Sequence, residues 1–124
     1  MPKSTNLLIR TKAFALEIIR LYGDLPSGLV AEVIGKQVLR SSTSVGAHVH
    51  EGKRSRSIAE MISKSEVALQ ELEESIYWLE LLAESEAVHR QRLIPLFEEA
   101  DEIVAMLVSA VRSLKRQNLL RSPQ

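Results

Sequence analysis

Apolar residues recur along the chain at spacings of three and four, and this period divides the chain into four long segments. Such a period is typical of amphipathic helices that bury one side. We predict helices over residues 5–22, 27–51, 57–85 and 91–117 of the 124-residue chain. A disordered tail is expected over about residues 119–124. Short connections between long helices favour an all-α, antiparallel, up-down-up-down four-helix bundle that forms one domain.

Local signals set the predicted ends of these helices. Ser57 and Glu60 have the spacing of a capping box, in which each side chain accepts a hydrogen bond from the other residue's backbone N–H. Ser27 is the predicted N-cap of the second helix. Pro95 is expected in the first turn of the fourth helix, where a missing N–H group costs little.

The second segment carries a polar stripe beside its apolar one. Gln37, Ser41, Ser44, His48 and Glu51 recur at spacings of four and three, so they share one side of a helix. Other solvent-facing positions in the chain are mostly Glu, Lys and Arg. We therefore predict a packed polar seam, either within one subunit or against a second copy of the chain.

Small residues on another side of the second segment indicate close packing. Gly35, Ser42 and Gly46 fall on one line, although each glycine lowers helix stability by about 1 kcal/mol. A neighbouring backbone is expected to approach this line. Antiparallel pairing with the third segment also predicts that Arg40 lies opposite Glu71 and forms an ion pair with it.

The charge is balanced overall but unevenly distributed. The chain has 16 basic and 16 acidic side chains. In the predicted bundle the second loop and both termini share one end, which would collect eight basic residues: Lys3, Lys53, Arg54, Arg56, Arg112, Lys115, Arg116 and Arg121. This pattern predicts contact with RNA or DNA phosphates. The alternative is that these charges are solvated or complement the dipole of the fourth helix.

The sequence offers little support for catalysis or metal binding. Ser44 and His48 could touch, but N–H groups in the middle of a helix are already bonded and cannot form an oxyanion hole. His48 and Glu51 supply only two metal ligands, and His50 points to the opposite side. The chain has no cysteine, which excludes a thiolate site. We therefore expect a non-enzymatic protein without metal or cofactor, and a metal-binding bundle is the least favoured alternative.

No membrane association or export is predicted. No segment approaches the roughly 20 consecutive apolar residues that a membrane span requires. The first residues do not form a signal peptide, because Arg10 and Lys12 interrupt the short apolar run. We expect a soluble, cytoplasmic protein.

Residues 37–52 resemble the signature of a known family, the proteins encoded in intervening sequences of bacterial 23S rRNA genes, once labelled ribosomal proteins. Six residues match in register: Gln37, Arg40, Ser41, Ser44, Glu51 and Gly52. Two valines replace isoleucines, and His48 replaces an asparagine. Glu71 matches the acidic position of the second motif of the family, in which Ala68 replaces the usual serine.

The resemblance implies a four-helix bundle that assembles as a cyclic homopentamer, with no established enzymatic activity. It also implies a relation to the accessory protein of diversity-generating retroelements, which binds nucleic acid and reverse transcriptase through basic surfaces. The partners expected from the resemblance are therefore further copies of the chain and RNA or DNA. The alternative is a purely structural oligomer, or one that binds a protein partner.

Overall fold

The computed structural model describes residues 3–121, which fold into four helices: α1 (Leu7–Gly23), α2 (Leu29–Gly52), α3 (Ile58–Glu84) and α4 (Arg90–Arg121). Each helix packs against the next one in the chain, and α4 also packs against α1. The backbones of helices on opposite corners, α1 with α3 and α2 with α4, do not come close to each other. This arrangement confirms the predicted up-down-up-down bundle, and residues 3–121 contain no strand.

The helix starts agree in part with the sequence signals. Ser57 caps α3 as predicted, since its Oγ accepts from the backbone N of Glu60 at 3.1 Å. Asn6 caps α1 by accepting from the backbone N of Leu8 at 2.8 Å. The predicted cap at Ser27 is wrong. The N-cap of α2 is Gly28, which has no side-chain cap bond and a φ of 136° that favours glycine.

The fourth helix is longer than predicted at both ends. It begins at Arg90, so Pro95 lies inside the helix, in its second turn, and not in the first turn. The proline has no N–H, and the ladder therefore lacks one bond on an exposed side of the helix. At the other end α4 continues to Arg121, so residues 119–121 of the predicted tail are helical. The rest of that tail, residues 122–124, lies outside the described residues.

The core forms where the four apolar stripes meet. Its fully buried side chains come from every helix and include Phe14, Ile18, Leu21, Val38, Val45, Leu72, Leu79, Leu93, Ile103 and Leu107. These are large aliphatic or aromatic groups, each of which contributes roughly 1.5–3 kcal/mol when fully buried. Removal of apolar surface from water is thus the main force that holds the helices together.

The small residues of α2 allow close approach, but on two sides and not one. A Cβ atom added at Gly46 would lie 3.5 Å from Thr11 Oγ1 and 3.7 Å from the Thr11 carbonyl carbon. A Cβ added at Gly35 would collide with the end of the Leu25 side chain. Both glycines therefore contact α1 or the residues just after it. Ser42 instead bonds to Ser75 of α3.

A buried arginine joins α1 to α4, the least extensive of the four helix contacts. Arg10 Nε donates to Glu99 Oε2 at 2.7 Å, and an Arg10 terminal nitrogen donates to Glu102 Oε1 at 2.9 Å. The other terminal nitrogen donates to the Ser4 carbonyl at 2.9 Å. Lys3 Nζ adds contacts of 3.0 Å to Glu99 and 3.2 Å to Glu102. Two cations and two carboxylates thus form one network.

The network favours the ionised carboxylates. Burial, the largest single influence on Glu99, raises its pKa, but the hydrogen bonds from Arg10 and Lys3 together outweigh burial and hold the pKa below its usual value. The pKa of Glu102 is lowered mainly by the hydrogen bond from Arg10 and then by that from Lys3. Because both pKa values are lower in the folded chain, the network stabilises the fold above the unfolded glutamate pKa of about 4.3. That stabilisation is lost as the pH falls through the folded pKa values.

We predict that Arg10→Met lowers the free energy of unfolding by about 2 kcal/mol at pH 7, because it leaves the partly buried Glu99 without its main partner. Urea unfolding at pH 7 and at about pH 3 checks this. The variant is expected to lose less stability on acidification than the unmodified protein does. Arg20→Met is the control, since Arg20 pairs only with exposed Glu17 and its loss should change stability by less than about 1 kcal/mol. An equal acid response in the Arg10 variant and the unmodified protein would contradict the assignment.

Candidate functional site

The centre of the polar seam is a cluster of three buried serines, which we call the serine cluster: Ser41 and Ser42 of α2 and Ser75 of α3. All three are 0% exposed. Ser75 Oγ donates to the Glu71 carbonyl at 2.9 Å, which uses its one hydrogen. The hydroxyls of Ser41, at 2.7 Å, and Ser42, at 3.1 Å, therefore both donate to the Ser75 oxygen. A hydroxyl has one hydrogen and two lone pairs, so Ser75 is fully satisfied.

The sequence predicted Ser41 as part of the polar seam but did not predict Ser75. A signal for Ser75 was present, because it is a polar residue within the apolar stripe of α3, three residues after Leu72 and four before Leu79. A buried hydroxyl requires a partner, and the antiparallel register of α2 and α3 supplies one. The cluster lies inside one chain, so the predicted seam begins as a contact within the subunit.

Arg40 extends the seam to the surface. One terminal nitrogen lies 3.3 Å from Glu71 Oε2, which is the ion pair expected from the sequence. The other terminal nitrogen contacts Glu74, whose carboxylate also accepts from Trp78 Nε1 at 2.8 Å. Arg40 Nε donates to Gln37 Oε1 at 3.2 Å. The Arg40 side chain is 49% exposed, so these contacts fix orientation more than they add stability.

The other end of the seam is only loosely joined. Lys64 of α3 contacts Glu51 Oε1 at 3.0 Å, and this hydrogen bond is the main cause that lowers the pKa of Glu51. His48 Nδ1 lies 3.8 Å from the same oxygen, too far for a hydrogen bond. That buried nitrogen has no other partner within residues 3–121. Ser44 is half-buried, and its hydroxyl bonds to no other described residue.

The structure brings seven of the eight predicted basic residues to one end of the bundle, which we call the basic end. Lys53, Arg54 and Arg56 lie in the α2–α3 connection and are exposed. Four exposed cations follow on the last turns of α4: Arg112, Lys115, Arg116 and Arg121. The two groups meet, because Lys53 lines the same cavity as Ser113 and Leu114 of α4. Lys115 lies 3.3 Å from Glu66, and the other six form no ion pair with any residue from 3 to 121.

Lys3 is the exception. Its ammonium is held by Glu99 and Glu102, and it lies beside Ala13, Phe14 and Pro95, near the middle of the α1–α4 contact. The hydrogen bond that Lys3 donates to Glu99 is the main cause that raises the pKa of Lys3. Two carboxylates surround this lysine, so the expectation that it joins the basic end is wrong.

Within residues 3–121 no three His, Asp or Glu side chains come close enough to hold a metal ion. Over the same residues, no helix combines the length and the apolar character needed to cross a membrane.

Comparison with known proteins identifies the family. A family model described as 23S rRNA-intervening sequence protein matches residues 4–109. The chain is also similar to a crystal structure, at 1.70 Å resolution, of a protein with unknown function from the S23 ribosomal protein family of Bacteroides thetaiotaomicron VPI-5482. The two chains share 35% sequence identity with a TM-score of 0.78, and the match covers 86% of this chain and 98% of that one. No match to a curated protein is found. The chain belongs to the 23S rRNA-intervening sequence protein family.

Proposed function

We propose that this protein is a non-enzymatic, cytoplasmic scaffold that assembles as a homopentamer and binds RNA or DNA through its basic end. The observation that carries self-assembly is an exposed apolar surface, which we call the α1–α2 face: Ile9, Leu16, Ile19, Leu29, Val30 and Val33. Their exposed fractions range from 43% to 75%. The runner-up is an oligomer whose partner is a protein and not a nucleic acid.

The residues of the α1–α2 face come from neighbouring parts of the two helices, which supports the proposal. The Tyr22 ring lies 3.3 Å from the Cβ position of Gly35, so the end of α1 runs beside the beginning of α2. Leu16, Ile19 and Val33 therefore come from neighbouring stretches of the two helices. Burial of such side chains contributes about 25 cal/mol for each Å² removed from water. A bundle that stays monomeric would leave this apolar surface in water.

A closed ring places a further requirement on this face. In a cyclic pentamer each copy must use two different patches, because a self-complementary contact gives only a dimer. The α1–α2 face of one copy therefore meets another part of the next copy. The serine cluster is already satisfied within the chain, so it is not needed for this contact.

Nucleic-acid binding rests on a separate observation, the six cations of the basic end that lack an ion-pair partner within residues 3–121. Unpaired Lys and Arg side chains release condensed counterions when they contact phosphates. Contacts of these cations with phosphates would position the nucleic acid without reading its sequence. A ring would set several basic ends side by side and multiply the field of each.

The absence of enzymatic activity is also part of the proposal. The best nucleophile and base that the sequence offers are Ser44 and His48, and no hydrogen bond joins them. The nearby serine cluster is fully buried, where no substrate reaches it. Neither group has the exposed, activated geometry that nucleophilic catalysis requires.

We predict that Leu16→Glu combined with Val33→Glu dissociates the assembly, because two carboxylates on the α1–α2 face cannot be buried without partners. Light scattering on the unmodified protein should give a mass near five times the 13.9 kDa chain, and the variant should approach one chain. Ile94→Glu is the control, since Ile94 is 41% exposed on α4 and does not belong to the α1–α2 face. An unchanged mass in the double variant, or a monomeric unmodified protein, would contradict the proposal.

We predict that Arg54→Gln combined with Arg56→Gln weakens binding of a fluorescent RNA or DNA oligonucleotide and reduces its salt dependence. Loss of two phosphate contacts should lower the slope of log K against log salt by roughly one to two. Arg90→Gln with Arg92→Gln removes the same charge at the start of α4 and should leave the slope unchanged. A pentamer that binds neither nucleic acid would favour the runner-up, a scaffold for a protein partner.

A further inference from the structure

A cavity of about 530 Å³ lies between the four helices at the basic end. It is bounded by the first turn of α1, the end of α2, the first two turns of α3 and the C-terminal half of α4. Its volume falls within the range of about 300–1,000 Å³ that is usual for small-molecule sites. Nothing in the proposed scaffold function requires a cavity at this point.

The walls of the cavity are aliphatic. They are formed by Leu7, Val49, Met61, Leu107 and Leu114. The lining has no aromatic side chain, so it offers no platform for stacking a nucleobase. Branched and linear aliphatic side chains of this kind accept an alkyl chain, whose transfer from water is favourable in proportion to its length.

Among residues 3–121, Lys53 is the one charged residue that lines the cavity. Its ammonium has no ion-pair partner within residues 3–121. Three hydroxyl-bearing residues, Thr5, Ser65 and Ser113, also line the cavity, and their side chains make no hydrogen bond to other described residues. Lys53 can therefore neutralise an anion while hydroxyls complete its hydrogen bonds.

From these features we infer that the cavity binds an alkyl chain that ends in an anionic group, such as a fatty acid. The chain lies among the aliphatic walls, and its carboxylate meets Lys53. The site is distinct from the α1–α2 face and uses a lysine that the nucleic-acid test above leaves in place. Its occupancy therefore does not depend on either part of the proposed function.

The direct test is isothermal titration of the full-length protein, as purified and without nucleic acid, with sodium decanoate up to about 1 mM. Decanoate should bind more than about tenfold more tightly than hexanoate, because each buried methylene strengthens binding about fourfold. Decanol, which has the alkyl chain without the charge, should bind more weakly than decanoate. Absence of binding, or equal binding of decanol and decanoate, would overturn the inference.

Variants locate the site. Lys53→Gln should weaken decanoate binding about three- to tenfold, Lys53→Arg should retain it, and Arg54→Gln, which leaves the lining intact, should change it little. Ser113→Phe should block the cavity from an exposed position, and its helical content and urea midpoint show whether the fold is kept. Unchanged affinity in a folded Ser113→Phe variant would place the ligand elsewhere and overturn the inference.

The anionic alkyl chain could belong to a free acid or to a membrane lipid. Co-sedimentation with phosphatidylglycerol vesicles, compared with phosphatidylcholine vesicles, separates these sources. Selective sedimentation with the anionic vesicles that is lost in Ser113→Phe supports the inference with a lipid as the source. Decanoate binding without sedimentation supports it with a free acid. The inference is contradicted if the protein does not bind decanoate and Ser113→Phe sediments with the vesicles as much as the unmodified protein does.

Discussion

Three buried hydroxyl groups need hydrogen-bond partners, and this need fixes the register of α3 against α2. The rest of the bundle depends on that register. Ser41, Ser42 and Ser75 are all completely buried, and a buried hydroxyl without a partner costs about 1–3 kcal/mol. Ser75 has one hydrogen and two lone pairs, and its three bonds use all of them. A shift of one helix by a single turn would break both hydrogen bonds between the helices, those from Ser41 and Ser42 to Ser75. Apolar burial alone would tolerate such a shift far better, because it has no direction.

This register has consequences for both ends of the seam. It sets Arg40 against Glu71 and Glu74 at the surface, and it brings Lys64 to Glu51 near the end of α2. The α2–α3 connection then follows directly, which positions Lys53, Arg54 and Arg56 beside the last turns of α4. Four residues of the seam thus form contacts within the subunit: Gln37, Arg40, Ser41 and Glu51. The exposed α1–α2 face and the basic end are the surfaces that we propose for partners.

The sequence predicted what depends on local periodicity and missed what depends on side chains from distant segments. Helix count, topology and the Arg40–Glu71 pair follow from the 3.6-residue period and an antiparallel register. The N-cap of α2 was missed because a φ of 136° at Gly28, and not a side-chain bond, ends the connection. Lys3 was placed wrongly because its position depends on Glu99 and Glu102, almost a hundred residues away. Ser75 was missed because a serine within an apolar stripe can be recognised as part of a buried hydrogen-bond cluster only when its partner is known.

The central claim, that the serine cluster stabilises the subunit and not the contact between copies, is tested most directly by Ser75→Ala. The variant should lower the free energy of unfolding by about 1–3 kcal/mol, because it leaves two buried hydroxyls without their acceptor. Ser63→Ala, an exposed serine on the same helix, should change it by less than about 0.5 kcal/mol. Urea unfolding and light scattering are measured at one protein concentration, since assembly and stability are linked. The account predicts lower stability with an unchanged assembled mass. A reduced mass in a variant that is as stable as Ser63→Ala would contradict it.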